Sequence, residues 1–498
     1  MSVTSDGVVA EKTGHRLRSN ALGLIETIGQ SLAAISPTLT PVLNITVVAG
    51  LAGIGCWLSY FIGTIGVVIV AASVGTLAAR HREAGSYFVY VGRTFGPFAG
   101  ALAGWAMISA YLFTAIAVSL SFAILLGDLI EALGAKASVL SLSVAMVVFI
   151  ALVTHAAYRD IRLSSRVGLV LEVVSVGIII TITFLFVRAQ GTVVDPPQLA
   201  ISSFKYGALF SALPFVIFSF VGFESAATLA KESANPRRDI PIAVMGCAAF
   251  AGIFFTVTAY FMVFGMGHDT VAMGKSSSPF GDVATRAGLG SAAIAVYIAA
   301  MISVFACALA SINAAARLLF SMGKYQFLHS SMGRVHDIHQ TPHRAILFCG
   351  VLLAAISVAL TPIGLLDAYG CSGTFASFGF VVVYLAICIV APMDLRRSRE
   401  MKLRHVLVGA IGTALMLFVI FGSLYPVPAY PYNTLPFLFF GYMVLGAVWF
   451  AVLRAKSPQT LASIQHDMEG EGTHTPPPYS ASAAIVRNSL NSSLPTPC

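Results

Sequence analysis

Charge is what this chain has least of. Only 10% of its 498 residues are Asp, Glu, Lys or Arg, where a soluble domain carries about a quarter. From Thr27 to Ala79 there is none at all, and again none from His405 to Leu453. Each such stretch has room for two membrane spans of about 20 residues. With 57% hydrophobic residues and mean hydropathy +0.86, an ordinary soluble globule is excluded. The expected fold class is an all-α polytopic membrane protein. Cysteine is sparse, and Cys56, Cys247, Cys307, Cys349, Cys371 and Cys388 fall inside expected spans without metal-ligand spacing, so they read as small buried hydrophobes with no disulfides and no metal. Residues 1 to 20 are polar and the first apolar run exceeds a signal h-region, so no cleavable signal is expected. No HExxH, GxSxG or clustered Ser/His or Asp pair occurs, and His155 stands alone at a helix end, which argues against a membrane enzyme and gives no reason to expect a cofactor. No charge ring or repeated filter sequence points to a channel.

Run length, charge and Gly/Pro punctuation predict twelve spans, near 22–49, 55–79, 97–127, 138–157, 166–188, 207–232, 240–265, 289–323, 344–361, 369–391, 405–424 and 435–454. With the N-terminus inside, the inner segments hold most of the basic residues, among them Arg80, Arg82, Arg93, Arg159, Arg162, Arg237, Arg238 and the run from Arg396 to Arg404. The outer loops hold only Lys136, Arg188, Lys205, Lys275 and Arg286. That asymmetry obeys the positive-inside rule, so the net charge of +8 reports topology rather than a nucleic-acid partner. Both termini are expected on the cytoplasmic side of the cytoplasmic membrane.

The domain plan is a cytoplasmic segment 1–21, a transporter domain 22–455 and a tail 456–498. Within the transporter domain, 22–188 and 207–391 form the two halves, and 405–454 holds two extra helices. The tail is rich in Ser, Thr, Pro and Asn and reads as disordered. Its Pro476-Pro477-Pro478-Tyr479 run fits a WW-type module and equally a chance proline run.

Two spans are interrupted. The first carries Gly29, Ser31, Ser36, Pro37, Thr38, Thr40 and Pro41; the sixth carries Pro214, Ser219, Gly222 and Glu224. Singly, each is what an ordinary proline kink produces. As a pair five spans apart, they mark corresponding positions of two inverted repeats, where unwound backbone offers N–H and C=O groups to a substrate. The segment GFESAATLAKESANPRRDIPIAV (222–244) resembles the sixth-span signature of the amino acid–polyamine–organocation (APC) permeases. REAGSYFVYVGRTFGPFAGALAGW (82–105) is similar to their loop between spans two and three. SINAAARLLFSMGK (311–324), with His336 and Thr341-Pro342, is similar to the end of span eight and its loop. The resemblance spans about residues 20–455. It implies a 5+5 inverted-repeat (LeuT-type) fold with broken helices 1 and 6 and two extra C-terminal helices. It also implies secondary active transport of an amino acid or related amine or polyamine.

Carried onto this chain, the resemblance places substrate-binding backbone at Ala33, Ala34, Ile35, Ser36, Pro37 and Thr38, and at Ser219, Phe220, Gly222, Phe223 and Glu224. Free N–H groups suit an anion and free carbonyls a cation. This chain departs from the pattern in three places. The first break lacks a Gly-rich run, and Pro37 offers no N–H to a carboxylate. No Lys lies between Arg166 and Val187, where proton-coupled members often carry one; Glu172 and Ser175 are the polar residues near that position. The proline usual before Gly85 and Ser86 is missing.

Glu172 and Glu224 are therefore the candidates for coupling, since a carboxyl withdrawn from water resists ionisation and can take up and return a proton near neutral pH. The competing reading of Glu172 is an end-of-helix charge paired with Arg162 or Arg166, and that of Glu224 a structural acceptor for the broken backbone. Glu26 is expected to be a solvated end charge. Tyr111, Ser303, Ser311, Tyr369 and Thr374 are candidate cavity residues, with Ser303 and Ser311 a conceivable sodium site. In the loop from Lys231 to Asp239, Pro236 is expected to stop the sixth helix and Pro241 to start the seventh; an ion pair reaching Glu83 or Arg93 is a gating candidate. The leading function is a proton-coupled permease for an amino acid or amine. An exchanger, a sodium symporter and a transporter-like nutrient sensor are the alternatives. The partners are a small-molecule substrate, a coupling proton or sodium ion and the lipid bilayer; no oligomeric state is implied.

Overall fold

The computed structural model describes residues 22–456 apart from 82–85, 160, 201, 203, 277–278, 287, 289–291, 426 and 428–429. The N-terminal segment, the tail beyond Lys456 with its Pro-Pro-Pro-Tyr run, and Arg82 and Glu83 lie outside the described residues. No strand occurs among those described; one isolated parallel bridge joins Leu22 to Ser233.

The first expected span is in pieces: α1 (Leu24–Ile35), a π-helical turn (Thr40–Asn44) and α2 (Ile45–Ala52). A Gly53–Gly55 turn leads into α3 (Cys56–Arg80), then α4 (Ser86–Phe95), α5 (Pro97–Ala132), α6 (Val139–Arg159) and α7 (Ile161–Gln190). After the short α8 (Pro196–Leu199), the sixth span is again divided, into α9 (Tyr206–Ser211), α10 (Leu213–Phe220) and a 3-10 segment (Ser225–Leu229). The chain continues through α11 (Pro236–Gly265), α12 (Thr270–Met273), α13 (Pro279–Arg286), α14 (Ala292–Lys324) and α15 (His343–Leu360). It closes with α16 (Leu365–Arg397), α17 (Leu403–Leu424) and α18 (Leu435–Lys456).

Eleven helical segments among the described residues are long and apolar enough to cross a membrane. The first, Leu24–Arg80, covers both the first and second expected spans. Helix is what such sequences adopt, because hydrocarbon offers no partner for an unpaired backbone N–H or C=O. Two boundaries differ from expectation. The loop after α3 is itself helical over Ser86–Phe95, and α11 starts at Pro236, leaving Pro241 inside it. Proline at the first helical position needs no amide partner, so Pro236, following Asn235, is the better start.

The most extensive packing joins α3 to α11, α5 to α16 and α14, and α14 to α7. Small residues let backbones approach, which matters where lipid removes the hydrophobic advantage of burying large side chains. Ala33 and Ala34 of α1 meet Ala306 and Ala310 of α14 in one such seam. Outward-facing Val351, Phe437 and Leu445 are exposed in the isolated chain, as a lipid-facing surface requires. One end of the broken helices is tied down: Leu22 donates to Glu232 O at 3.0 Å, and Ala234 returns a bond to Leu22 O at 2.8 Å. Glu232 is in turn ion-paired with Arg317 of α14, both fully buried.

Candidate functional site

Both interruptions predicted from Pro and Gly are present, and they face each other. α1 stops at Ile35, and Ser36 takes a left-handed φ of 52°. α10 stops at Phe220, and Gly222 takes a φ of 99°. A Cβ on Gly222 would lie 2.7 Å from the Ala34 carbonyl carbon and oxygen, so only glycine lets the two breaks touch. Side chains stitch them together. Ser31 donates to Phe223 O at 2.6 Å and accepts from Ala226 N at 3.1 Å; Ser225 donates to Gln30 O at 3.1 Å.

Glu224 is fully buried and triply held. Its carboxylate accepts Tyr111 Oη at 2.9 Å, Tyr384 Oη at 2.5 Å and the Gly222 amide at 3.1 Å, while Tyr87 Oη donates to its backbone O at 2.8 Å. Tyr111 belongs to α5 and Tyr384 to α16, so one carboxylate joins the second break to the two helices beside it. Tyr111, expected among the substrate contacts, is engaged by Glu224.

Glu172 on α7 is also fully buried. Arg166 pairs instead with Glu26, at 2.7 Å, and Arg162 has no described side chain. Glu172 takes the Ser303 hydroxyl at 2.8 and 2.9 Å and that of Ser175 at 3.4 Å. Ser303 lies 2.8 Å from Ser36 Oγ, and Thr38 donates to Ser175 at 3.0 Å. Two hydroxyl pairs thus connect this carboxylate to the first break. Ser311, further along α14, stands within reach of the Cys307 thiol, outside the Glu172 group. Glu26 is corrected: it is 3% exposed, capped onto Gly23 N at 2.8 Å as well as paired with Arg166, not a solvated charge.

Beside the breaks lies a cavity of about 20 Å³, lined by Ala34, Ile35, Ser36, Leu39, Thr40 and Asn44 of the first span. Thr114 and Val118 of α5, Phe218 and Val221 around the second break, Cys307 of α14 and Tyr369 of α16 complete it. That is room for roughly one water. Of the expected residues, Ala34, Ile35, Ser36 and Tyr369 line this cavity. Ala33 packs against α14; Pro37 and Thr38 are buried in the break itself. Ser219 bonds Tyr60 at 3.0 Å, Phe220 stacks edge-on with Phe255, and Phe223 lies against Tyr384. Thr374 bonds its own helix at Gly370 O. Of the gating candidates, Arg93 contacts His81 at 2.7 Å, and Glu83 lies outside the described residues.

Sequence reasoning missed Asn44, Thr114, Tyr384 and Cys307. Asn44 had a signal: with Gln30 it is one of two amide side chains in the charge-free stretch Thr27–Ala79. It accepts from Tyr369 Oη at 2.7 Å.

The amino acid permease family matches residues 28–455. A branched-chain amino acid permease of Bacillus subtilis (strain 168) is 23% identical over 78% of this chain and 85% of its own length. A glutamate/serine transporter of the same organism is 23% identical over 76% and 71%, respectively. A low-affinity putrescine importer of Escherichia coli (strain K12) is 24% identical over 77% and 83%. These proteins are transporters, not enzymes. The two facing breaks, the buried carboxylates beside them and this match over nearly the whole helical region lead to one statement: the chain belongs to the amino acid permease family of the APC superfamily and is an integral membrane transport protein.

Proposed function

We propose that the chain is a secondary active transporter that carries an amino acid or related amine across the cytoplasmic membrane by alternating access. The coupling proton rides on Glu172. The observation that carries this reading is the connection of the buried Glu172 to the first break through Ser303–Ser36 and Ser175–Thr38. A carboxyl with hydroxyl partners and no cation among its described contacts is held in place without being fixed as a charge. Its protonation state and the conformation of Ser36 are therefore coupled by geometry. Glu224, bound by two phenols and an amide, serves to hold the second break in shape.

Twelve spans and a five-plus-five inverted repeat fit this reading. As a single helix, the 57 residues of Leu24–Arg80 would measure about 85 Å, nearly three times a hydrocarbon core of about 30 Å, so they count as two crossings. α1 packs on the Ser225–Leu229 segment, α3 on α11 and α5 on α14. In each case these are expected spans five apart. The positive-inside pattern supports cytoplasmic termini. One observation favours a second reading: Ser36, Thr38, Ser175, Ser303 and Glu172 gather hard oxygen donors of the kind a sodium ion takes.

Purified protein in liposomes, screened with labelled amino acids and amines under imposed gradients, tests both. Accumulation driven by an inward proton gradient without sodium supports the proposal. Accumulation that needs sodium and ignores pH overturns proton coupling in favour of the oxygen cluster as an ion site.

A further inference from the structure

Basic residues concentrate at the turn between α16 and α17. Residues 396–404 hold five of them, Arg396, Arg397, Arg399, Lys402 and Arg404, and one acid, Glu400. The connections 80–93, 159–166 and 324–344 hold three each against one acid, and 231–239 holds three against two. The acids near the turn are engaged. Arg80 of α3 takes Asp394 at 2.9 Å and also Glu400, while His81 takes the other Asp394 oxygen at 3.1 Å. Arg397 donates to the Arg93 and Thr94 carbonyls at 2.7 and 3.1 Å. These bonds brace the turn against the end of α3 and against α4. Among the described residues no acid pairs with Arg396, Arg399, Lys402 or Arg404, and all four are exposed. Arg404 meets a ring nitrogen of His405 at 3.3 Å.

Depth decides what can meet these charges. α16 ends at Arg397 and α17 begins at Leu403, and both are long and apolar enough to cross a membrane. The residues between them reach at most about 18 Å even when fully extended, so the turn stays against the membrane surface. The headgroup layer there is about 5–7 Å deep on each side of the hydrocarbon, and lipid phosphates lie in it. α16, with 33 residues, measures about 50 Å, longer than a hydrocarbon core of about 30 Å, which lets its last turn stand at headgroup level. Apolar side chains interleave with the bases: Met401 is 43% and Leu403 74% exposed. Water gains nothing from them, whereas the upper methylenes of an acyl chain would bury them.

We propose that the turn between α16 and α17 is a binding site for the headgroup of an anionic phospholipid. Arg399, Lys402 and Arg404 take its phosphate and any further negative charge, and its upper acyl chains cover Met401 and Leu403. A cluster of four or more bases at the end of a membrane helix attracts anionic lipid through its net charge. Here the cluster is free of acids, exposed and held at phosphate depth, and a soluble acidic partner would leave the two apolar side chains in water.

Lipid retention by the full-length protein tests this. The protein is purified from mixed micelles holding equimolar phosphatidylcholine and phosphatidylglycerol, and the lipids that stay bound are counted by native mass spectrometry. Phosphatidylglycerol should be retained in preference to phosphatidylcholine. Arg399→Gln/Lys402→Gln/Arg404→Gln should weaken that preference about fivefold for each base neutralised, with an unchanged melting temperature because all three residues are exposed. Arg159→Gln/Arg334→Gln/Arg344→Gln removes the same charge from two other connections and should leave the preference in place. Equal loss in the two triple variants would overturn the site in favour of diffuse attraction to a basic face. No preference in the wild-type protein would overturn it outright. Displacement of the lipid by an equal concentration of glycerol phosphate would overturn it too, reassigning the bases to a soluble phosphate.

Discussion

Glu224 and Glu172 bring the same functional group into the same bundle and meet different neighbours. Glu224 is gripped by Tyr111, Tyr384 and the Gly222 amide, Glu172 by serine hydroxyls that continue to Ser36 and Thr38. Their neutral amide variants should therefore separate. Glu172→Gln is expected to retain substrate exchange but lose its response to a pH gradient. Glu224→Gln is expected to lower uptake while the remaining uptake still follows the gradient. Counterflow and gradient-driven uptake in liposomes check both. Tyr384→Phe removes one donor from a buried carboxyl and should cost about 1–3 kcal/mol of apparent stability, read from thermal unfolding in detergent. The polar residues of the breaks were legible as residues out of place in apolar sequence. Their partners were not: in helices apolar all round, no periodicity says which face Tyr384 or Thr114 presents. Glu26 was misread for the same reason, because nothing in the sequence shows Arg166 reaching it from α7.

At the scale of elements, the two interrupted helices depend on one glycine and one buried ion pair. Gly222→Ala adds a Cβ against the Ala34 carbonyl and strains a φ of 99°. Overpacking of about 1–3 kcal/mol and a left-handed penalty of about 1–2 kcal/mol should together abolish uptake and lower the melting temperature. Arg317→Ala leaves Glu232 as an unpaired buried charge and should cost about 3–5 kcal/mol. The double variant Arg317→Met/Glu232→Leu should recover most of that stability, since matched apolar replacement removes both charges. A fall in the double variant as large as in the single one would show that the pair does more than balance charge. Both breaks could be located beforehand because Pro and Gly punctuate a helix locally. The helix boundaries near Pro236 and the helical Ser86–Phe95 were harder, since a polar connection and a short amphipathic helix look alike in composition.

For the whole molecule, the sequence disclosed its class at once through missing charge, and the distribution of Lys and Arg predicts the sidedness. Ala135 and Glu400 are exposed positions in connecting segments expected on opposite faces. Ala135→Cys should react with a membrane-impermeant maleimide in intact cells, and Glu400→Cys only after permeabilisation. The six described native cysteines are buried and give little background once Cys498, the seventh, is replaced by Ser in both variants. Substrate preference was not legible, because nothing in the order of residues says which backbone groups and side chains of different helices meet at the assembled breaks. The central claim is that substrate entry carries a proton held by Glu172. It is tested most directly by a pH dye trapped inside proteoliposomes while a transported amine or amino acid is added outside under constant external pH. The account predicts substrate-dependent acidification of the lumen by the wild-type protein and none by Glu172→Gln, although both exchange substrate. Equal acidification by the two proteins would contradict it.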